Sequence, residues 1–108
     1  MILLIDGRRS FLDGRKALVA RTGKNALKLL MENEGKIKAI WMDRNLTDDI
    51  KPVLDFLALR GKMGMKYPTN VIFVHCQDEA GWQILSTKLK NAGYNVQRGT
   101  VRETLGAY

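Results

Sequence analysis

The chain has very little cysteine, histidine or proline: one Cys, one His and two Pro in 108 residues. The single cysteine, Cys76, excludes an internal disulfide and is typical of a reducing compartment, so we expect a cytoplasmic protein. No apolar run approaches the roughly 20 residues of a membrane span, and we expect no membrane partner. Residues 1–5 are too short for a signal peptide and are followed at once by Asp6, which indicates a first strand.

Acidic residues are also in the minority. The chain has 11 Asp and Glu against 18 Lys and Arg, a net charge of +7. The excess of positive charge is concentrated in residues 1–24, which contain six basic and two acidic residues. A basic balance favours phosphate-bearing partners or an acidic protein face. The alternative is that the surface charges serve solubility alone.

Three short apolar runs each end in a residue that can do chemistry. Residues 2–5 lead to Asp6, residues 39–42 lead to Asp43, and residues 71–74 lead to His75. Such runs, without polar alternation, are typical of strands buried on both faces. With two further extended runs, the sequence predicts strands over 2–6, 17–20, 39–43, 70–75 and 94–97.

The segments between these strands have apolar residues at helical spacing. The pattern predicts a helix over 23–33 with Thr22 as its N-cap, and another over 79–92 capped by Asp78. Between them, residues 47–49 supply the cap and first-turn acids of a helix whose first turn accommodates Pro52.

This order of elements predicts an α/β fold of the flavodoxin-like, or receiver, type. We expect a doubly wound, parallel five-stranded sheet of order 2-1-3-4-5, with helices on both faces and no helix between strands one and two. It forms a single domain over residues 1–100, and 101–108 are a tail or a short helix. We expect one common core of apolar residues: Leu4, Leu27, Leu30, Ile40, Leu54, Phe73, Trp82 and Leu85.

The carboxyl ends of parallel strands meet at one edge, and ligands bind there at the topological switch point. Asp6 and Asp43 end the two strands that flank this point, and His75 ends the next strand. Paired carboxylates suit Mg²⁺ or Mn²⁺, and His75 can act as a general acid or base. The alternative is structural: each Asp bonds loop amides, and the histidine is a hydrogen-bonded structural residue.

Arginines adjoin these residues. Arg8 and Arg9 follow Asp6 closely, and a guanidinium there is well shaped to grip a phosphate through two parallel hydrogen bonds. Arg44 adds a third positive charge directly beside Asp43. Each arginine can equally be a solvated loop charge. Cys76 has no second histidine to activate it, so we expect no nucleophilic role for it.

The residues after the strands resemble the receiver fold of two-component response regulators. They are closest to its compact variant, the cyclic-phosphate-processing receiver-like domains, which lack the first helix. The variant's motifs L-D-D-x-R, L-D-H-D and V-H-S-x-N correspond here to Ile5-Asp6-Gly7-Arg8-Arg9, Met42-Asp43-Arg44-Asn45 and Val74-His75-Cys76-Gln77-Asp78. The resemblance implies that Asp6, Arg9, Asp43 and His75 take the matching positions.

The acidic motifs are degenerate relative to this family. Gly7 replaces the second acid after strand one, and Arg44 with Asn45 replaces a His-Asp pair. Because hard cations are held mainly by carboxylates, metal affinity should fall. The remaining positive groups suit an anion that is bound directly.

Two functions follow from these observations. The first is an enzyme or binder for a cyclic or terminal phosphate of a nucleotide or RNA, such as a metal-dependent phosphoesterase. In it Asp6 and Asp43 hold the metal, His75 and Asp43 are catalytic, and Arg8, Arg9 and Arg44 contact phosphate. The second is a catalytically degenerate receiver-like module that binds a protein or nucleic acid through a basic face.

A third hypothesis, signalling through phosphorylation of Asp43 as in ordinary receivers, fits the sequence less well than the other two. The resemblance puts His75 at the usual Ser/Thr position and offers only Arg98 in place of the receiver lysine.

Overall fold

The fold is taken from a computed structural model, which describes residues 1–43 and 50–99 and the backbone of 105–106. The strands are β1 (Ile2–Ile5), β2 (Ser10–Phe11), β3 (Leu18–Ala20), β4 (Ala39–Asp43), β5 (Val71–His75), β6 (Val96–Arg98) and β7 (Leu105–Gly106). The helices are α1 (Gly23–Glu32), α2 (Lys51–Lys62) and α3 (Glu79–Asn91). None of the helices in the described ranges is long and apolar enough to cross a membrane.

A five-stranded parallel sheet forms the centre of the α/β fold, and it is compatible with a flavodoxin-like architecture. Its strand order is β3-β1-β4-β5-β6. The register pairs Ile5 with Met42 and Asp43 with His75. The numbering of this order differs from the predicted 2-1-3-4-5 because the sequence analysis missed the short strand β2, which lies in the loop after β1.

The strand β2 belongs to a second, two-stranded sheet. It pairs antiparallel with β7, so that Ser10 lies opposite Gly106 and Phe11 lies opposite Leu105. The prediction of a tail or short helix at 101–108 is therefore wrong for Leu105–Gly106, and the rest of that segment lies outside the described residues. Pairing between segments so distant in sequence leaves no local pattern from which it could be read.

The helices pack on one face of the parallel sheet only. Buried residues of α1, α2 and α3 form one cluster with Leu3, Ile5, Ile40 and other side chains on that face. The opposite face carries a separate cluster of Leu4, Phe11 and Trp41, and no described helix contributes to it. The prediction of helices on both faces is not met within residues 1–43 and 50–99, where all three helices lie on one face and a loop connects β1 to β3.

The single predicted core therefore divides between the two faces. Leu30, Ile40 and Leu85 are buried on the helical face, and Leu27, Leu54 and Trp82 pack against them while partly buried. Leu4 and Phe73 lie on the opposite face. Successive side chains of a strand point to opposite faces, so these two could not join the helical cluster.

The starts of α1 and α3 agree with the predicted caps. Thr22 Oγ1 accepts the N–H of Asn25 at 3.1 Å, and Asp78 Oδ2 accepts the N–H of Gly81 at 3.0 Å. Pro52 occupies the first turn of α2, where no intrahelical N–H is required. The N-cap of α2 is Ile50, which makes no side-chain cap bond, so the prediction that residues 47–49 supply this cap is wrong.

A buried pair of tyrosines joins the helices to the loops at the far end of the sheet. Tyr67 is completely buried, and its hydroxyl donates to the Leu30 carbonyl at 2.6 Å. The Tyr94 hydroxyl donates to the Leu57 carbonyl at 2.8 Å and accepts the N–H of Tyr67 at 3.0 Å. Burial raises the pKa of Tyr67 to about 12, and it also raises the pKa of Tyr94.

This raised pKa predicts a loss of stability in alkali. The pKa of tyrosine is 10.0 in the unfolded chain and about 12 for folded Tyr67. The stability that results from this difference is therefore complete below pH 10.0 and is lost as the pH rises toward about 12. Urea denaturation across this window should show the free energy of unfolding falling less in Tyr67→Phe than in the wild type. Equal slopes for the two proteins would contradict the assignment.

Gly61 in α2 generates a second stability prediction. A Cβ at this position would lie 2.2 Å from the Ala92 carbonyl oxygen. In an unobstructed helix Gly→Ala is stabilising by about 1 kcal/mol, but overpacking against backbone costs about 1–3 kcal/mol. We expect Gly61→Ala to lower the free energy of unfolding, measured by urea denaturation. Leu59→Ala, at an exposed position of the same helix, is the control and should change it by less than about 0.5 kcal/mol.

Candidate functional site

The three residues that end the central strands share one edge and one face of the sheet. Asp43 and His75 are register partners on β4 and β5, and Asp6 follows Ile5, the partner of Met42. Strand alternation places all three on the face opposite the helices. The side chains of Asp43 and His75 are only 12% and 9% exposed, so the site is largely enclosed.

Asp6 anchors the loop that leaves β1. Its carboxylate is fully buried, and Oδ1 accepts the N–H groups of Arg8 and Arg9, both at 2.9 Å. This is the structural role that the sequence analysis kept open for an aspartate at a strand end. The bonds turn the chain sharply and bring the Arg9 side chain over the end of the sheet.

Arg21 holds the same loop from the neighbouring strand end. Its Nη1 donates to the Arg9 carbonyl at 2.7 Å and to the Asp6 carbonyl at 3.2 Å, and Nη2 donates to Ser10 Oγ at 3.4 Å. The sequence analysis missed this residue. Its only signal was a basic side chain directly after an extended run, which does not distinguish a loop support from a surface charge.

Arg9, His75 and Asp43 form a continuous polar chain across the site. Arg9 Nη1 lies 3.1 Å from His75 Nδ1 and 3.4 Å from Nε2. His75 Nδ1 also lies 3.5 Å from Asp43 Oδ1. Because Nδ1 can accept from Arg9 or donate to Asp43 but not do both, the tautomer of the ring decides which of these two contacts is a hydrogen bond. The arrangement places a guanidinium, which is suited to binding phosphate, beside an imidazole that could transfer a proton.

Two buried polar atoms in this loop have no hydrogen-bond partner among the described residues. They are Asp6 Oδ2, an acceptor, and Arg9 Nε, a donor. An unsatisfied buried polar atom costs about 1–3 kcal/mol, so both atoms favour a further polar group at this place. Arg9 Nε suits an anionic oxygen, and Asp6 Oδ2 suits a hydroxyl or a cation.

The described residues do not fit a metal centre of three protein ligands. No group of three or more His, Cys, Asp or Glu side chains in 1–43 and 50–99 is arranged to hold a metal ion. Asp6 has already committed one oxygen to loop amides. The Mg²⁺ or Mn²⁺ site at Asp6 and Asp43 therefore stays a prediction, and we derive no chemical step through a metal.

The remaining arginines have different surroundings. Arg8 is exposed beside the site, whereas Arg44 lies outside the described residues. Arg15 is paired with Asp13, whose pKa it lowers to about 2, and covers the Phe11 ring. Arg98, which the resemblance put in the receiver lysine's place, donates to the Cys76 carbonyl at 2.8 Å and to Glu79 at 2.6 Å.

No family model, curated protein or solved structure matches the chain. The likeness to receiver-like domains therefore depends on the motifs after the strands and stays a prediction. What the chain can do must be argued from its own residues.

The anchoring role of Asp6 can be tested by its removal. Asp6→Ala leaves the N–H groups of Arg8 and Arg9 without their acceptor, and we expect a loss of about 2 kcal/mol in the free energy of unfolding. Urea denaturation measures the change. Asp13→Ala, which removes an exposed loop carboxylate, is the control and should lower the free energy of unfolding less than Asp6→Ala does. Equal losses in the two variants would contradict the anchoring role.

Proposed function

We propose that this chain is a receiver-like domain that binds a phosphate-bearing ligand, the cyclic or terminal phosphate of a nucleotide or RNA, at the carboxyl edge of its sheet. Arg9 grips the phosphate, Arg8 assists from the rim, and His75 with Asp43 lies beside the bound group. Arg44 belongs to the same proposal from its position next to Asp43. The observation that carries it is the contact of Arg9 with His75 at 3.1 Å.

The electrostatics of the loop support an anion at this place. Asp6 Oδ1 is engaged with backbone amides, and the buried Arg9 Nε has no hydrogen-bond partner among residues 1–43 and 50–99. A phosphate oxygen would satisfy that donor through a charge-assisted hydrogen bond. Such binding depends on guanidinium groups, so we expect it to persist in the presence of EDTA.

A phosphoesterase reaction is the catalytic extension of this proposal. The pairing of His75 with Asp43 supports it, because a carboxylate orients the ring of a histidine that transfers a proton. In this extension water adds to the phosphorus as the ester P–O bond breaks, His75 takes the proton of the water or gives one to the leaving oxygen, and Asp43 orients its ring. The alternative function, an interaction module with a basic face, predicts binding without turnover.

The proposal is tested by titrating the protein with inorganic phosphate, a nucleoside 2′,3′-cyclic phosphate and a 3′-phosphorylated RNA oligonucleotide. Isothermal titration calorimetry in EDTA should show binding that Arg9→Ala weakens by about tenfold or more, the value of one charged hydrogen bond. Arg9→Lys should restore only part of it, since ammonium lacks the planar fork. Lys28→Ala, a cation on the exposed side of α1, is the matched control and should bind normally.

Turnover separates the enzyme from the binder. If the domain is an enzyme, His75→Ala should slow hydrolysis of the cyclic phosphate by roughly 10²–10⁴. Binding by Arg9→Ala that equals the wild type, or no binding of any of the three ligands, would overturn the proposal. A chain that binds but never turns over would support the interaction module.

A further inference from the structure

The exposed methionines all lie at the end of the molecule that is opposite the candidate phosphate site. Four of the five methionines are more than half exposed: Met1 (52%), Met31 (61%), Met63 (58%) and Met65 (51%). The fifth, Met42, is buried in the sheet at 2%. Methionine of this exposure is unusual for a chain with a well-formed core, and methionine is enriched at protein–protein interfaces.

The topology brings the four residues to one edge. In a parallel sheet, crossover helices run against the strands, so their carboxyl ends lie where the strands begin. Met1 precedes β1, and Met65 lies in the connection that leads to β5. Met31 lies in the last turn of α1, and Met63 is the C-cap of α2. We call this set, with the lysines described below, the methionine surface.

Arg60 holds part of this surface in a defined shape. Its Nε donates to the Met65 carbonyl at 2.6 Å, and the N–H of Met65 donates to the Arg60 carbonyl at 2.9 Å. Its two terminal nitrogens bond both oxygens of Glu34, each at 2.9 Å. Gly64 turns the chain between Met63 and Met65 with a φ of +73°. The methionine side chains thus project from a backbone that is tied to the end of α1.

The charge of the same edge is positive. Residues 56–77 contain no acidic residue, and Lys62 and Lys66 are exposed beside the two methionines. Lys36 and Lys38 are also exposed, and the N–H of Lys38 donates to the Met1 carbonyl at 2.8 Å, which places it at this edge. Two acids lie nearby: Glu34 is paired with Arg60, and Glu32 is exposed after Met31, so the four lysines outnumber the acidic residues.

We propose that the methionine surface docks an acidic amphipathic segment of a partner protein. Flexible thioether side chains adapt to the apolar face of a helix, and the surrounding lysines complement acidic residues along its edges. Nucleic acid is recognised by cations with exposed aromatic stacking platforms, whereas Tyr67 and Tyr94 at this edge are buried and the strongly exposed apolar side chains of the methionine surface are methionines. The surface is independent of the phosphate site, and its function does not depend on the function proposed there.

The buried methionine provides an internal reference for the test. The chain is labelled with ¹³C at the methionine methyl groups and titrated with a synthetic helical peptide that has Glu on its polar face and Leu on its apolar face. The signals of Met1, Met31, Met63 and Met65 should shift together and saturate, while that of Met42 stays in place. A peptide with Lys in place of Glu should bind at least about tenfold more weakly.

Variants of equal net charge locate the binding surface. Lys36→Glu with Lys62→Glu should weaken peptide binding by about tenfold or more. Lys24→Glu with Lys51→Glu, in the first turns of α1 and α2 at the opposite edge of the sheet, should leave it within about twofold because the change lies away from the surface. Met63→Gln with Met65→Gln should weaken binding while preserving the circular dichroism spectrum. Arg9→Ala should bind the peptide as the wild type does.

Three outcomes would overturn the proposal. One is peptide binding that the Lys36 and Lys62 changes do not weaken more than the Lys24 and Lys51 changes. Another is tighter binding, with the same methyl shifts, to phosphatidylcholine–phosphatidylserine vesicles, which would identify a lipid surface. The third is binding to poly(U) that is tighter than binding to the peptide and gives the same methyl shifts, which would identify an RNA surface.

Discussion

The buried carboxylate of Asp6 is the constraint on which the site depends. A carboxylate with no exposed surface must be paired within the protein, because its desolvation is costly. The pairing comes from the N–H groups of Arg8 and Arg9, so the chain must turn immediately after β1. That turn carries the Arg9 guanidinium to His75, and Arg21 secures the turn by binding its carbonyl groups.

The site rests on a layer of aromatic side chains, which covers the face of the sheet that carries no described helix. On the face without described helices, Trp41 stacks on Phe73 with ring centres 4.2 Å apart, and Phe11 meets Trp41 edge to face at 5.4 Å. Asp43 and His75 lie two residues beyond Trp41 and Phe73 on the same strands, and hence on the same face. Gly99 passes so close that a Cβ there would lie 2.8 Å from Trp41. Packing of large rings thus supports the polar chain from below.

The two edges of the sheet differ in chemistry. The carboxyl edge has a guanidinium, an imidazole and carboxylates in an enclosed site, which suits a small anionic group. The amino edge has flexible thioethers and exposed lysines, which suit a broad partner surface. In a parallel sheet these ends are separated by the length of the strands, so both can be occupied at once.

Local patterns were sufficient for the five strands of the parallel sheet, for the three helices and for the edge at which the chemistry lies. Apolar runs and caps such as Thr22 and Asp78 identify strands and helix starts because they act within a few residues of one another. Register and alternation follow from strand geometry, which is why Asp43 and His75 could be placed together in advance. The one-sided packing of the helices, the pairing of β2 with β7 and the role of Arg21 could not, since each depends on residues distant in sequence. Asp6 separates most clearly what the sequence determined from what the tertiary structure decided. The sequence determined that a carboxylate follows the first strand. Only the tertiary structure decided that one of its oxygens binds the loop, because this depends on where the backbone N–H groups of the loop lie.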